Sequence, residues 1–243
     1  MYAYNEEKER IAFEIERQGF SQVKLTDDFV GQLRHLGREW NFLTEDSYLD
    51  KGLFGIRKRG YGVLQVSQKE GILNVDRTKP LIQTKEYNKL FGGVERYFGP
   101  LPDPILNSDV FRNTLSSNID VLHRLTGCET WDVGAHVIRM IATVEREAHP
   151  APEGIHQDGF DYVSFHLINR WNVLDDEAIT CLLKLPKENI VVIGPLKLGD
   201  SMIVDDRKLA HFVTPFRVKN PNLEATRDIL IFTYTAHQSP KKQ

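Results

Sequence analysis

The sequence predicts a mainly β protein, an antiparallel barrel or jelly roll with α-helices packed against its outside. Three features of the chain support this. Seven strand-like runs crowd the second half. Turn-forming segments such as HPAPEG, PLKLGD and KNPNLE separate them, with no helical stretch between. The period of 3.6 residues shows instead in the first half, where apolar stripes recur three and four residues apart.

Residues 5 to 18 read as the first helix. Asn5 is its candidate cap, Ile11 and Ile15 lie four apart, and Gly19 can end it. A short strand, GFSQVKL, follows. Thr26-Asp27-Asp28 opens a second helix, with Phe29, Leu33, Leu36 and Trp40 along one stripe. A third helix falls within residues 104 to 125, its apolar face built from Val110, Leu115, Ile119 and Leu122, with Gly127 after its end. The stretch from 52 to 100, containing RKRGYG and YNKLFGGVERYFGP, reads as loop-rich. The strands then come in sequence as TWDVGAHVIRMIATVE, FDYVSFHLINRW, AITCLLKL, NIVVIGPL, GDSMIVDD, HFVTPFRV and DILIFTYTA. The expected organisation is one domain over 1–243, with a helical region of about 1–127 packing on a β-core of about 128–237.

With 41% hydrophobic and 27% charged residues in 243, the chain can build an ordinary globular core. A net charge of −3 and the lack of a basic stripe argue against nucleic acid or an anionic membrane as partner. Cys128 and Cys181 form no metal-type spacing and no disulfide framework. The first twenty residues contain no apolar core of a secretory signal, and no apolar run approaches the roughly 18 residues needed to span a bilayer. A soluble, cytoplasmic protein is therefore expected. The sequence carries no signal of oligomeric state.

His156-Gln157-Asp158 is the triplet richest in chemistry. In extended chain, residues i and i+2 face the same way, so His156 and Asp158 can reach one metal ion. His211, 53 residues beyond Asp158, begins another β-rich run and offers a third ligand. Two imidazoles and one carboxylate on one face of an octahedral ion suit Fe(II) and leave positions for a cosubstrate and oxygen. A lone HxD is also what a turn with a surface histidine looks like. Arg227 adds weight, because it enters the hydrophobic strand RDILIFTYT 16 residues after His211. A guanidinium there needs an anion, since an unpaired buried cation is costly, and its planar fork matches a carboxylate. Pairing with the neighbouring Asp228 is the structural alternative.

Taken together, these residues resemble the Fe(II)/2-oxoglutarate dioxygenase superfamily. More narrowly, the chain is similar to the bacterial group that contains free amino-acid hydroxylases such as isoleucine 4-hydroxylase. The segments that carry the resemblance are QTKEYNKLFGGVERYF, HVIRMIATVE, IHQDGFDYVSFHLINRWNV, HFVTPFRV and EATRDILIFTY, which span roughly residues 50 to 237 in order. The resemblance implies a cupin-like double-stranded β-helix with iron at its open mouth. It implies His156, Asp158 and His211 as catalytic iron ligands and Arg227 on the distal carboxylate of 2-oxoglutarate. Superfamily members often follow this arginine at +2 with serine, whereas Ile229 stands here, so the group assisting Arg227 is left open.

The expected reaction consumes O2 and 2-oxoglutarate and hydroxylates a free L-amino acid or related small acid. Arg139, Arg96 and Arg59 are candidate anchors for the substrate carboxylate, each with a bland alternative as a bracing ion pair. Gln157, between the two candidate ligands, can touch substrate or hold its loop. Two rival classes are a cupin-like metal enzyme that does not use 2-oxoglutarate and a non-catalytic metabolite sensor. The first usually carries more histidine ligands and needs no strand arginine. The second has no need of an intact triad.

Overall fold

Local chemistry sets the helices. In a computed structural model that describes residues 3–4, 6–184 and 189–237, helix α1 (Lys8–Gln18) buries Ile11, Ala12 and Ile15. It ends at Gly19, whose φ of 89° is a left-handed conformation that costs glycine little. Glu7 stands at its N-cap with no side-chain bond, and the expected cap Asn5 lies outside the described residues. Strand β1 (Phe20–Lys24) follows. Helix α2 (Asp27–Leu36) buries Phe29 and Leu33 and runs into a 3-10 segment, Gly37–Phe42, that buries Trp40. After α3 (Lys51–Phe54) come β2 (Ile56–Ser67), β3 (Gly71–Asp76), β4 (Gly99–Pro100) and α4 (Asp103–Leu106). Helix α5 (Asp109–Thr126) starts where Ser108 Oγ accepts the Phe111 N–H at 3.2 Å and stops at Gly127, with φ 74°.

Each of the seven strands expected in the second half has a counterpart, though the one expected at HFVTPFRV starts two residues earlier and ends at Val213. They are β5 (Thr130–Ala142), β6 (Tyr162–Trp171), β7 (Ile179–Lys184), β8 (Asn189–Pro195), β9 (Asp200–Asp205), β10 (Leu209–Val213) and β11 (Ala225–Ala236). They form two sheets. The larger runs β1-β9-β6-β11-β5-β2-β3, with β4 beside β2, and the smaller runs β10-β7-β8.

The stretch expected to be loop-rich holds β2, a strand of 12 residues paired with β5 along its whole length. Strands from before residue 128 thus enter the main sheet. The reason they were illegible is chemical. The first half of β2 turns Arg57 and Arg59 inward to a polar pocket, and its second half buries Leu64 and Val66 against the helices. The first half lacks the apolar alternation that marks a strand packed on an oily core, and in the second half it extends over only Leu64 and Val66.

Each face of the larger sheet has its own core. On one face Val133, Ala135 and Val137 of β5 and Leu230, Phe232 and Tyr234 of β11 pack beneath α1, α2 and α5. On the other, Ile138, Met140, Phe165, Met202 and Ile229 meet Leu182 and Leu209 of the smaller sheet. The site lies in this second, inter-sheet space. No helix among the described residues is long and apolar enough to cross a membrane.

A buried polar cluster ties the helical layer to the sheet. Asn118 of α5 donates to Tyr234 Oη at 2.7 Å and Ser164 Oγ at 3.1 Å, lies 3.2 Å from His166 Nε2, and accepts from the Tyr4 hydroxyl. Burial holds the His166 pKa at about 3, so its imidazole is neutral. Asn118→Ala would strand several buried polar groups at once, and a loss of about 3 kcal/mol is expected. Urea unfolding monitored by tryptophan fluorescence measures it; a loss under about 0.5 kcal/mol would show that water or rearrangement replaces the network.

Candidate active site

The site begins with two reciprocal backbone bonds. His156 N–H donates to His211 O at 3.1 Å, and His211 N–H donates to His156 O at 2.7 Å. This bridge joins the segment before β6 to β10 and brings the two imidazole centroids to 4.4 Å. Extended-chain alternation then swings Asp158 to the same side as His156. Its Oδ1 lies 3.6 Å from His156 Nε2 and its Oδ2 3.4 Å from His211 Nε2. The next residue, Gly159, has φ 86°, and a Cβ there would sit 2.5 Å from the Tyr87 ring, so only glycine turns the chain at this point.

The three donor atoms lie within 4.8 Å of one another. An octahedral ion with ligands at about 2.1 Å spaces adjacent donors by roughly 3 Å, so small side-chain shifts suffice to close the set on one metal. The tautomers suit it too. His156 Nδ1 lies 2.8 Å from the Gly154 carbonyl, which can only accept, so the proton sits on Nδ1 and the Nε2 lone pair is available.

Asp206, unremarked in the sequence, supports the whole loop. Its buried carboxylate accepts the N–H groups of Asp158 at 3.1 Å, Gly159 at 2.7 Å and Phe160 at 3.1 Å. Its Oδ1 also faces His211 Nδ1 at 3.7 Å. Burial, then the charge of Asp158, raises the Asp206 pKa. Burial acts the same way on Asp158, but the charge of His211 and hydrogen bonds from both histidines outweigh it and hold that carboxyl well below its usual range. For His156, burial lowers the pKa, yet the Asp158 hydrogen bond and charge carry it up to about 9. A metal ion would replace that proton.

Across the pocket stands Arg227. It is 3% exposed and lines the cavity with Ile229, Ile231 and Thr233, the inward residues of β11. Among the described residues its guanidinium has no hydrogen-bond or ion-pair partner. Asp228, the alternative partner, points to the other face and binds Arg139 through Nε–Oδ1 at 2.6 Å and Nη2–Oδ2 at 2.7 Å. Burial lowers the Arg227 pKa to about 10, with the nearby charge of Arg170 second. Ile229 puts an apolar wall where many relatives of the superfamily would have a hydroxyl.

Two of the expected substrate residues are therefore misplaced. Arg139 alternates with the inward Ile138 and Met140, so it faces the outside of the sheet and pairs with Asp228 and Asn41. Gln157 alternates with His156 and Asp158, and its amide is spent on the Asp206 carbonyl. Arg59 and Arg96 do line the pocket. Arg59 Nη2 donates to His136 Nδ1 at 2.6 Å, which makes His136 an acceptor and a neutral imidazole, consistent with its pKa lying well below normal through burial and the charge of Arg59. Arg96 Nη2 donates to Gln83 Oε1 at 2.5 Å, while Gln83 Nε2 donates to Asp158 Oδ1 at 3.1 Å. His136, Gln83 and Glu153 also line the pocket, and none stood out from the sequence as a site residue. Gln83 had one signal, its place at the head of the family-like segment QTKEYNKLFGGVERYF.

The profile of the 2OG-Fe dioxygenase family matches residues 37–233. The 3(1)-hydroxy-L-isoleucine 4-dioxygenase of Pantoea ananatis is 28% identical over 221 residues, covering 89% of this chain and 86% of that protein. The L-isoleucine-4-hydroxylase of Bacillus thuringiensis is 29% identical over 167 residues, 66% of this chain and 67% of that protein. A crystal structure of a bsmA homologue from Methylobium petroleophilum superposes with a TM-score of 0.80 at 24% identity, covering 96% of this chain and 95% of that one, and shares the fold.

The donor set makes a direct forecast. Anaerobic titration with Fe(II) should give one tight site in the wild type, and His156→Ala, Asp158→Ala or His211→Ala should each weaken it by about 100-fold or more. Wild-type affinity in any of the three would remove that residue from the set.

Proposed function

This chain belongs to the 2OG-Fe dioxygenase family and is a dioxygenase that uses Fe(II) and 2-oxoglutarate, and we propose that it hydroxylates the side chain of a free L-amino acid or closely related small acid. On this reading His156, Asp158 and His211 hold the iron. Bound iron and cosubstrate supply the oxidative chemistry, in which O2 is consumed, 2-oxoglutarate becomes succinate and CO2, and one oxygen enters a C–H bond.

The protein's own part is binding, orientation and exclusion of water. The observation that carries the cosubstrate assignment is Arg227, a buried cation in the same pocket as the triad, with no hydrogen-bond or ion-pair partner among the described residues. A fork-shaped guanidinium there suits the far carboxylate of 2-oxoglutarate, whose charge would offset the cost of burying the cation. The apolar side chains of Ile138, Phe165, Val213 and Ile231 keep the space between the charged ends dry. Arg59 and Arg96 form a second cationic end for the substrate acid. Both curated relatives are named for action on isoleucine or its hydroxylated form, which favours an aliphatic amino acid here. Asp158 also supplies a carboxylate where a halogenating enzyme would need an open ligand position, which favours hydroxylation.

A panel of free amino acids incubated with Fe(II), ascorbate and 2-oxoglutarate should yield products heavier by one oxygen, with matching succinate. If only peptides or lipids couple succinate to product, the substrate class is wrong and the family stands. Arg227→Lys should raise the KM for 2-oxoglutarate by about 10-fold or more, because an ammonium cannot make the two-pronged contact. An unchanged KM in a folded variant would sink the Arg227 assignment.

A further inference from the structure

The second cationic end of the pocket has an acidic neighbour, and the pair carries more information than an anchor for an acid. Arg59 and Arg96 are 7% and 1% exposed. Among the described residues, neither has a carboxylate within ion-pair distance. Asp46 is already committed to Arg57, whose Nε it meets at 2.7 Å. Arg59 Nε and Arg96 Nε are both buried without a hydrogen-bond acceptor. The faces of the two guanidiniums rest on Phe98 and Phe91, at 4.2 and 5.1 Å from the ring centroids. Two desolvated cations that share the Phe98 ring, with Arg96 5.9 Å from its centroid, call for an anion.

Glu153 lines the same pocket and is half-buried. Its one hydrogen bond among the described residues is long, 3.4 Å from Asn88 Nδ2, and that amide bonds more closely to Gln83 Oε1 at 3.0 Å. Gln83 Oε1 is also the acceptor for Arg96. Cation and carboxylate are thus linked through two amides yet form no ion pair with each other. A fixed positive and a fixed negative group, held near but apart, complement a ligand that carries both charged groups on one carbon. 2-Oxoglutarate is not that ligand, since it has no cationic group. Its expected station at Arg227 also lies two strands away from β2, because Arg227 faces Met140 and Met140 faces Arg57. That is about 10 Å between backbones.

Building on the amino-acid reading above, we propose that the substrate is read as a zwitterion, its α-carboxylate on Arg59 and Arg96 and its α-ammonium on Glu153, so that N-acylated amino acids are rejected. Gln83 places this station next to the triad, because the same side chain bonds Asp158. The substrate's aliphatic part then extends along the apolar wall.

The test uses the Fe(II)-loaded enzyme with 2-oxoglutarate, free aliphatic L-amino acids and their N-acetyl derivatives, with succinate and oxygenated product measured together. The wild type should favour the free amino acid over its N-acetyl form by about 100-fold in kcat/KM, as a site built around a charged group does. Glu153→Gln keeps the shape and removes the charge; it should raise the amino-acid KM by about 10-fold and narrow the preference, with the KM for 2-oxoglutarate unchanged. Equal turnover of free and N-acetyl substrates, or an unchanged amino-acid KM in Glu153→Gln, would overturn the zwitterion reading while leaving amino-acid hydroxylation in place. If no amino acid in either form is oxidised but another acid is, the amino-acid reading fails and this inference falls with it.

Discussion

The reciprocal backbone bridge between His156 and His211 is the contact on which the site depends. Each residue donates to the other's carbonyl, at 3.1 and 2.7 Å, so two segments far apart in sequence are locked in register at the mouth of the inter-sheet space. Once they are locked, strand alternation decides the rest. Asp158 follows His156 to the inside, and Gln157 is sent outward. The loop that carries Asp158 is then held from beneath by the Asp206 carboxylate through three backbone N–H groups. Charged acceptors make stronger hydrogen bonds than neutral ones, and this one holds a metal-ligand candidate by its backbone N–H, leaving the Asp158 carboxylate free to face the histidines.

The arginines divide into two groups by their partners. Arg57 pairs with Asp46, Arg139 with Asp228, Arg207 with Asp205 and Arg217 with Glu177. Those contacts brace strands and loops. Arg59, Arg96 and Arg227 are buried yet have no carboxylate partner among the described residues, and all three line the pocket. Keeping a cation desolvated without a counter-charge is unfavourable in the empty protein. Ligand carboxylates at both ends would relieve that cost, which ties affinity to charge placement and leaves the apolar centre to orient the reacting carbon.

The helices act on the site indirectly. They cover the outer face of the larger sheet, and the Asn118 cluster joins them to β6 and β11. Strand β11 therefore has two duties. Its outward Phe232 and Tyr234 anchor the helical core, and its inward Arg227, Ile229 and Ile231 form the pocket wall. The loop before it is closed by Asn172, whose amide donates to the carbonyls of Asn220, Leu223 and Glu224, so the chain is fastened before the strand begins.

By itself, the sequence determined the elements whose signals are local. Glycines at 19 and 127 stop helices, apolar stripes mark the faces of α1, α2 and α5, and apolar runs between turn residues mark β5 to β11. It also determined which residue types can hold a metal, because HxD alternation puts His156 and Asp158 on one side and the distant His211 completes a known ligand chemistry. Tertiary structure decided whatever depends on which face of a strand is inside. Strand β2 was illegible because its first half turns Arg57 and Arg59 inward, and cations lining a pocket invert the usual apolar signal. Arg139 and Arg227 look alike in sequence, each a cation within a hydrophobic strand. Their roles separate only because 139 and 228 fall opposite each other on the outer face while 227 is turned to the pocket. Asp206, Gln83 and Glu153 act through hydrogen bonds and charges that cross between segments, and no periodicity or spacing along the chain encodes such contacts.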